Sequence, residues 1–317
     1  MIKTRKIAII GVGHVGAHCA YALIMRGLVD ELVLVDKNHQ KAVSERQDLM
    51  DAVAYAPHKV NVTIADYDEL GDCDIIVNSV GKIELLETHD RLSELHYNID
   101  QVTDYIPKVM AGGFKGIIIN ITNPCDIITQ QIARLANLPE GQVFGTGTGL
   151  DTSRLLSALC QKTGIDHKSI NAYMMGEHGA SIMFPMSQIA FRGKSLKELA
   201  AVDERFQFDY EEMKKTVFSG AWLTYTGKKC TEYGICTTLA HCVNAVLHDE
   251  KAIIPVSTEL KGQYGEEGLF IGVPAVVGAK GIEEIFELDL EPAELEEFKK
   301  CCDDVRHNMT MNDKVIK

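Results

Sequence analysis

His178 is the residue of this 317-residue chain best suited to moving a proton. It stands in G-E-H-G, Gly176 to Gly179, at the expected end of a strand. Packing a histidine needs no glycines, but glycines on both sides let its ring face a cleft, and histidine exchanges protons near neutral pH without tuning. Earlier in the chain, L-D-T-S-R at Leu150 to Arg154 sets Asp151 and Arg154 three residues apart, on one face of a helix start. An acid there would fix the tautomer of the histidine and stabilise its protonated form. Taken singly, Asp151 reads as a plain N-cap and Arg154 as half of a surface ion pair. Only the combination points to chemistry.

A second constellation lies near the N-terminus. The apolar run Ile7 to Ile10 has the pattern of a strand buried on both faces. Gly11, Gly13 and Gly16 follow at once, spaced G-x-G-x-x-G. A helix then carries Val15, Cys19, Leu23 and Met25 inward and stops near Gly27, and Leu32 to Val35 forms a second strand ending at Asp36. Gly11 permits a tight turn, Gly13 lets backbone approach a pyrophosphate, and Gly16 lets helix and strand pack closely. N–H groups at the helix N-terminus then face the phosphates. Asp36, 20 residues after Gly16, would accept hydrogen bonds from an adenosine ribose and repel the 2′-phosphate of NADP. The pattern therefore reads as a dinucleotide site, for NAD rather than NADP, with a purely structural glycine turn as the alternative.

The elements that must position these residues divide the chain in two. In the first part, Val60 to Ile64, Asp74 to Val80, Gly116 to Ile121 and Val143–Phe144 read as further strands. Helices are expected over Arg46 to Tyr55 and Leu92 to Met110, with another starting at T-N-P, where Pro124 suits a first turn. Gly81 to Arg91 has no clear periodicity and follows a strand end, where ligands bind in open α/β sheets. The alternation predicts a doubly wound parallel sheet. In the second part, Asp151 to Gly164, Asp203 to Gly227, Thr231 to His248 and a last helix from Pro292 read as helical. Ser169 to Met175, Ile182 to Arg192, Ala252 to Thr258 and Leu269 to Val277 read as extended, which makes an α+β half. Domains over 1–146 and 147–317 are expected, packed around a shared cleft, because no linker or low-complexity stretch separates them.

Composition narrows the partners. A net charge of −13 argues against a nucleic-acid backbone or an anionic membrane. An anionic substrate would have to be captured by locally placed arginines. The nine cysteines are scattered, without a C-x-x-C pair, as in a reduced cytoplasmic protein. No apolar run approaches a membrane span, and the start of the chain does not read as a signal peptide. His14 and His18, four apart, lack an evident third metal ligand, so no metal is expected. Gly193-Lys194-Ser195 resembles the end of a P-loop, but Gln188 stands where its leading glycine belongs, so Ser195 reads as a helix cap.

Together these stretches resemble the L-specific lactate and malate dehydrogenase superfamily, from Lys6 to about Met309. The motifs are G-V-G-H-V-G, V-L-V-D, I-T-N-P-C-D, G-T-G-T-G-L-D-T-S-R and G-E-H-G, in the order of the family. The resemblance implies a Rossmann domain followed by an α+β catalytic domain, and NAD-dependent hydride transfer between a 2-keto acid and an L-2-hydroxy acid. It implies His178 as the acid/base, Asp151 as its carboxylate partner and Arg154 as the grip on the substrate carboxylate, where a planar fork suits better than an ammonium. Arg91, in T-H-D-R-L, matches the loop arginine that polarises the carbonyl. Asn123 matches the asparagine near the nicotinamide ribose and the reactive carbon. Thr231 and Ile235 match positions lining the substrate pocket and the back of the nicotinamide. Gly11, Gly13, Val15, Gly16, Asp36 and Gly81 complete the expected cofactor set. A homo-oligomer, dimer or tetramer, is implied too. A non-catalytic nucleotide-binding protein on the same fold is the alternative, and the presence of His178, Asp151, Arg91 and Arg154 together weighs against it.

Two departures bear on specificity. The loop between Gly81 and Arg91 reads K-I-E-L-L-E-T-H-D, one residue longer than in lactate enzymes. The substrate-discriminating position falls on Leu85 counted back from Arg91, or on Glu84 counted forward from Gly81. Neither, nor Leu86, neutralises a dicarboxylate, so malate is disfavoured. The loop also resembles that of L-2-hydroxyisocaproate dehydrogenases, which act on longer aliphatic substrates, and packing of these leucines within the loop itself is the competing reading. Leu156 and Asn171 stand where relatives activated by fructose 1,6-bisphosphate carry an arginine and a histidine, so no such effector is expected.

Overall fold

A computed structural model describes residues 4–82, 85 and 91–316, and of residues 91–93 the backbone alone. The first half alternates strand and helix: β1 (Lys6–Ile10), α1 (His14–Met25), β2 (Glu31–Val35), α2 (His39–Val53), β3 (Asn61–Ile64), β4 (Ile75–Asn78), α3 (Arg91–Ala111), β5 (Ile117–Asn120), α4 (Cys125–Ala136) and β6 (Val143–Gly145). These strands pair in parallel in the order β3-β2-β1-β4-β5-β6. The reversal of order between β1 and β4 opens a crevice at their carboxyl ends, where this sheet class binds ligands. Successive residues feed opposite faces. Ala8, Ile10, Val33 and Ile76 enter one core cluster, and Ile7, Ile9, Leu34 and Val77 the other. Burial on both faces explains why these strands read as unbroken apolar runs.

The second half contains α5 (Gly149–Thr163), β7 (Ile170–Asn171), β8 (Met175–Gly176), β9 (Ile182–Met183), β10 (Ala190–Phe191), β11 (Lys194–Ser195), α6 (Leu196–Ala200), α7 (Tyr210–Lys228), α8 (Tyr233–Leu247), β12 (Ala252–Lys261), β13 (Glu267–Gly278), β14 (Gly281–Ile285) and α9 (Pro292–Met309). β12 and β13 form a long antiparallel pair that extends the sheet beyond β6 through the bridge Ser257–Gly145. One sheet thus runs through both halves. A separate three-stranded sheet, β11-β10-β7, covers a third core around Leu155, Phe184 and Phe191.

Several sequence expectations need correction. Met25 is 37% exposed rather than inward. α2 starts at His39, seven residues before the expected Arg46, because the side chain of Asn38 accepts the Lys41 N–H as a cap. Ser169 to Met175 is not one strand. Between β7 and β8 the backbone of Met174 bonds to the hydroxyls of Thr148, just before α5, and of Thr152 within it, instead of a neighbouring strand. Ile182 to Arg192 is likewise broken, since Pro185 precedes a 3-10 turn at Met186–Gln188. α7 begins only at Tyr210, where Asp209 accepts the Glu212 N–H. Pro124 immediately precedes α4 instead of lying in its first turn. Ser195 does cap α6, in a reciprocal box with Glu198.

α9 closes the sheet face with Phe298, Cys302, Val305 and Met309 buried. The Phe298 ring is fully buried, 4.8 Å from that of Tyr264. Phe298→Ala should cost about 3–5 kcal/mol of stability, measurable as a lower urea midpoint at unchanged m-value.

Candidate active site

The glycine loop separates packing constraints from ligand constraints. Gly11 sits at φ +90°, and a Cβ there would lie 2.7 Å from the Ser79 carbonyl oxygen. A Cβ on Gly16 would lie 1.9 Å from the Gly11 carbonyl oxygen, so turn and helix touch backbone to backbone. Gly13 is different: a Cβ there meets nothing within 4 Å. The protein does not need a glycine at that point for its own packing. Among the described residues no side chain caps α1, and no acid lies in its first turn. Open space before an uncapped helix N-terminus suits a pyrophosphate.

Asp36 is held at the loop, its Oδ2 accepting the Val12 N–H at 2.9 Å and its Oδ1 the Asn38 N–H at 2.8 Å. A carboxylate keeps lone pairs beyond these two bonds. Gly81 follows β4 in open surroundings. Val15 and Ile235 are half-buried side chains packed on the same core cluster.

The T-N-P turn is built by buried amides. Asn120 is fully buried. Its Nδ2 donates to the carbonyls of Thr122 and Cys125, each at 3.1 Å, and its Oδ1 accepts the Thr122 N–H at 3.1 Å. Oδ1 also accepts Asn78 Nδ2 at 2.8 Å, and the Tyr105 hydroxyl donates to Asn78 Oδ1. From α3, Asn98 Nδ2 donates to the Asn123 carbonyl at 2.6 Å. Asn98 Oδ1 is buried without a partner among the described residues. An orphaned acceptor beside Asn123 fits a site that a hydroxyl-rich ligand completes. With the open cradle at Gly13, it makes this crevice suited to NAD.

Across the crevice α5 organises the titratable groups. Thr148 Oγ1 donates to the Met174 carbonyl at 2.7 Å, and the Met174 N–H donates to Thr152 Oγ1 at 2.9 Å. Asp151 lies between these two threonines, so the clamp fixes the following G-E-H-G segment against it. The His178 Nδ1–H donates to Asp151 Oδ2 at 2.6 Å. Arg154 Nη1 donates to Asp151 Oδ1 at 2.8 Å, and Arg154 Nη2 stands 3.4 Å from the Thr231 hydroxyl. Asp151 is 8% exposed. Burial raises its carboxyl, but the His178 and Arg154 charges prevail and hold it below the usual carboxylate value. Burial likewise lowers the His178 imidazolium, yet the charge and hydrogen bond of Asp151 outweigh this and the net shift is upward, with Arg154 opposing. With Nδ1 committed to Asp151, Nε2 remains as the proton-exchanging atom.

The structure thus brings His178, Asp151, Arg154 and Thr231 into one connected group. Arg91 opens α3, and its side chain, like Glu84 and Leu86, lies outside the described residues. Leu85 is half-buried, its N–H donating to the Lys82 carbonyl at 3.0 Å. Leu156 is half-buried on α5, and Asn171 is exposed on β7. Sequence reasoning missed the supports: Thr148, Thr152, Asn78, Asn120, Asp126 and Ser257. The threonines and Asp126 lie inside motifs that were legible, while Ser257 carries no local signal.

Comparison with known proteins agrees with this geometry. Residues 5–145 match the family model described as lactate/malate dehydrogenase, NAD binding domain, and residues 148–315 match its alpha/beta C-terminal domain. The chain is 39% identical to an L-lactate dehydrogenase of Fusobacterium nucleatum over 95% of both chains. It is 40% identical to L-lactate dehydrogenase 2 of Listeria monocytogenes over 94% of this chain and 96% of the other. The ligand-bound crystal structure of the minor L-lactate dehydrogenase of Enterococcus mundtii superposes with a TM-score of 0.91 at 35% identity, covering 96% of this chain and 97% of that one. With both of its halves matched by the family models, the chain belongs to the lactate/malate dehydrogenase family.

Proposed function

We propose that this chain interconverts pyruvate and L-lactate as an NAD-dependent L-2-hydroxy-acid dehydrogenase, with His178 as acid/base. The observation that carries the reading is the shared carboxylate of Asp151, bonded to His178 on one oxygen and to Arg154 on the other. Proton donor and anion grip are thereby held in fixed relation. Bound nicotinamide supplies the hydride in reduction and takes it up in oxidation. His178 Nε2 gives its proton to the carbonyl oxygen in reduction and recovers it in oxidation. Asp151 fixes the ring and stabilises the imidazolium. Arg154 holds the substrate carboxylate with donors not spent on Asp151, and Thr231 borders the same guanidinium. Arg91 acts on the carbonyl oxygen from the start of α3, and Asn123 orients the nicotinamide ribose. The nine free cysteines support a cytoplasmic location. Apolar side chains exposed on α1, α7 and α8, among them Tyr21, Trp222, Leu223 and Tyr233, support a homo-oligomer.

The direction of the His178 shift fixes the pH behaviour. Reduction needs the imidazolium, so kcat/KM for pyruvate should be level at low pH. It should fall as pH rises through a value above the ordinary histidine value of about 6.5. Oxidation of L-lactate needs the neutral ring and should rise over the same interval. His178→Ala should abolish turnover while NADH still binds. Asp151→Asn removes the main raising charge, so its reduction limb should move to lower pH and its kcat should fall by roughly 10²–10⁴. Steady-state profiles of the three proteins test this, and a limb unmoved in Asp151→Asn would sink the pairing.

Cofactor choice rests on Asp36. NADH should be preferred to NADPH, and Asp36→Ser should narrow the gap, as kcat/KM for each cofactor would report. Equal use of both by the unaltered protein counts against this role.

Substrate size rests on Leu85. A leucine there cannot pair with a second carboxylate, whose unpaired desolvation is costly. Among pyruvate, 2-ketobutyrate, 2-ketoisocaproate and oxaloacetate, the last should be reduced worst. The apolar side chain favours a second reading, in which longer keto acids gain about 0.8 kcal/mol per buried methylene and match pyruvate. Leu85→Arg should raise oxaloacetate reduction at least about tenfold. Equal rates with pyruvate and oxaloacetate in the unaltered protein would remove Leu85 from the pocket wall.

A further inference from the structure

Asp126 lies in the first turn of α4, in the NAD-binding half, yet its carboxylate serves the other half. It is 2% exposed. Oδ2 accepts the backbone N–H of His178 at 2.9 Å, and Oδ1 accepts the Ser257 hydroxyl at 2.5 Å. An acid in a first helical turn usually faces solvent and needs no such partners. Ser257 is the residue through which β12 meets Gly145 of β6. That junction is tight, since a Cβ on Gly145 would lie 2.5 Å from Thr129 Oγ1 and 3.1 Å from Ser257 Cβ. The carboxylate therefore joins the seam between the halves to the main chain of the histidine.

We propose that Asp126 is a positioning residue for His178, holding its backbone from the NAD-binding half while Asp151 holds its ring from α5, and adding a second negative charge behind the imidazolium. The proposal rests on His178 being the acid/base. Among the described residues, three charged groups act on it most directly, with buried Glu177 next to it in the chain. Asp151 on α5 and Asp126 on α4 favour the imidazolium, and Arg154 on α5 opposes it. Burial pushes the Asp126 carboxyl up to about 6, Ser257 and the His178 N–H hold it down, and neighbouring Glu177 raises it. Above that pH Asp126 carries its charge, and the two carboxylates act on His178 from different sides.

Asp126→Asn keeps size and hydrogen bonding, with the amide oxygen toward the His178 N–H and the amide nitrogen toward Ser257, but removes the charge. Its alkaline limb for pyruvate reduction should move to lower pH by about half a unit. Its kcat should fall about tenfold, the lower end of what losing a partner behind a functional histidine costs. NADH affinity, read by fluorescence quenching, and the thermal midpoint should stay close to those of the unaltered protein. Ser257→Ala withdraws the bond that keeps Asp126 ionised and should move the limb the same way by less. It keeps the test decisive if Asp126→Asn fails to fold. An unmoved limb in every variant that folds, or a kcat loss matched by equal loss of NADH affinity and thermal stability, overturns the proposal. Turnover retained by His178→Ala would instead overturn the acid/base reading beneath it, so the two failures are distinguishable.

Discussion

A carboxylate buried between an imidazole and a guanidinium is the interaction on which this site depends. Asp151 has each oxygen committed, one to His178 and one to Arg154. Removing one partner of a buried pair typically costs about 3–5 kcal/mol, because the other charge is left uncompensated. The sequence around Asp151 meets that demand locally. Arg154 follows one helical turn later, and Thr148 and Thr152 pin Met174 so that His178 arrives at the right height. The hydrogen bonds that break up the expected strand at Ser169 to Met175 are thus the ones that hold the segment leading to His178. Regular pairing was given up there in exchange for position.

The second constraint is the seam. The two halves share one sheet, but β6 and β12 meet through the single bridge Ser257–Gly145. The halves also share both large core clusters, and at the junction itself Gly145 has no room for a Cβ between Thr129, Cys125 and Ser257. Asp126 sits at this point and reaches His178. On the proposed function, cofactor and acid must be aligned to a fraction of an ångström, and a bond from the NAD-binding half to the main chain of His178 would serve that need.

How much of this was legible in the sequence depends on how local each cause is. The glycine loop was legible because its constraints are partly local: Gly11 adopts a positive φ, and Gly16 meets the Gly11 carbonyl five residues away. The parallel strands were legible because burial on both faces leaves an unbroken apolar run. α2 was read short because its start rests on the Asn38 cap rather than on apolar periodicity. Asp126 was visible in I-T-N-P-C-D, but its task was not, because its partners lie 52 and 131 residues away. Asn78 and Asn120 look like interruptions in apolar strands. Only the folded chain reveals that each completes the other's hydrogen bonds and shapes the turn at Asn123. Conversely, Gly13 carries no packing constraint at all, so its glycine becomes intelligible only when a ligand is considered.

Charge balance gives the division of labour its logic. The protein carries a net charge of −13, so its overall field repels a keto acid. Among the described groups that act most directly on one another, protonated His178 and Arg154 face Asp151 and Asp126, two cations against two anions. An anionic substrate entering that neutral set leaves one uncompensated negative charge in a low-dielectric site, where it is heavily penalised. The role proposed for Arg91, whose backbone opens α3, would supply the matching positive charge. On the proposed reaction, the positive charge that His178 loses with its proton would reappear on a bound nicotinamide as its hydride leaves, so the charge balance of the site is the same before and after reduction.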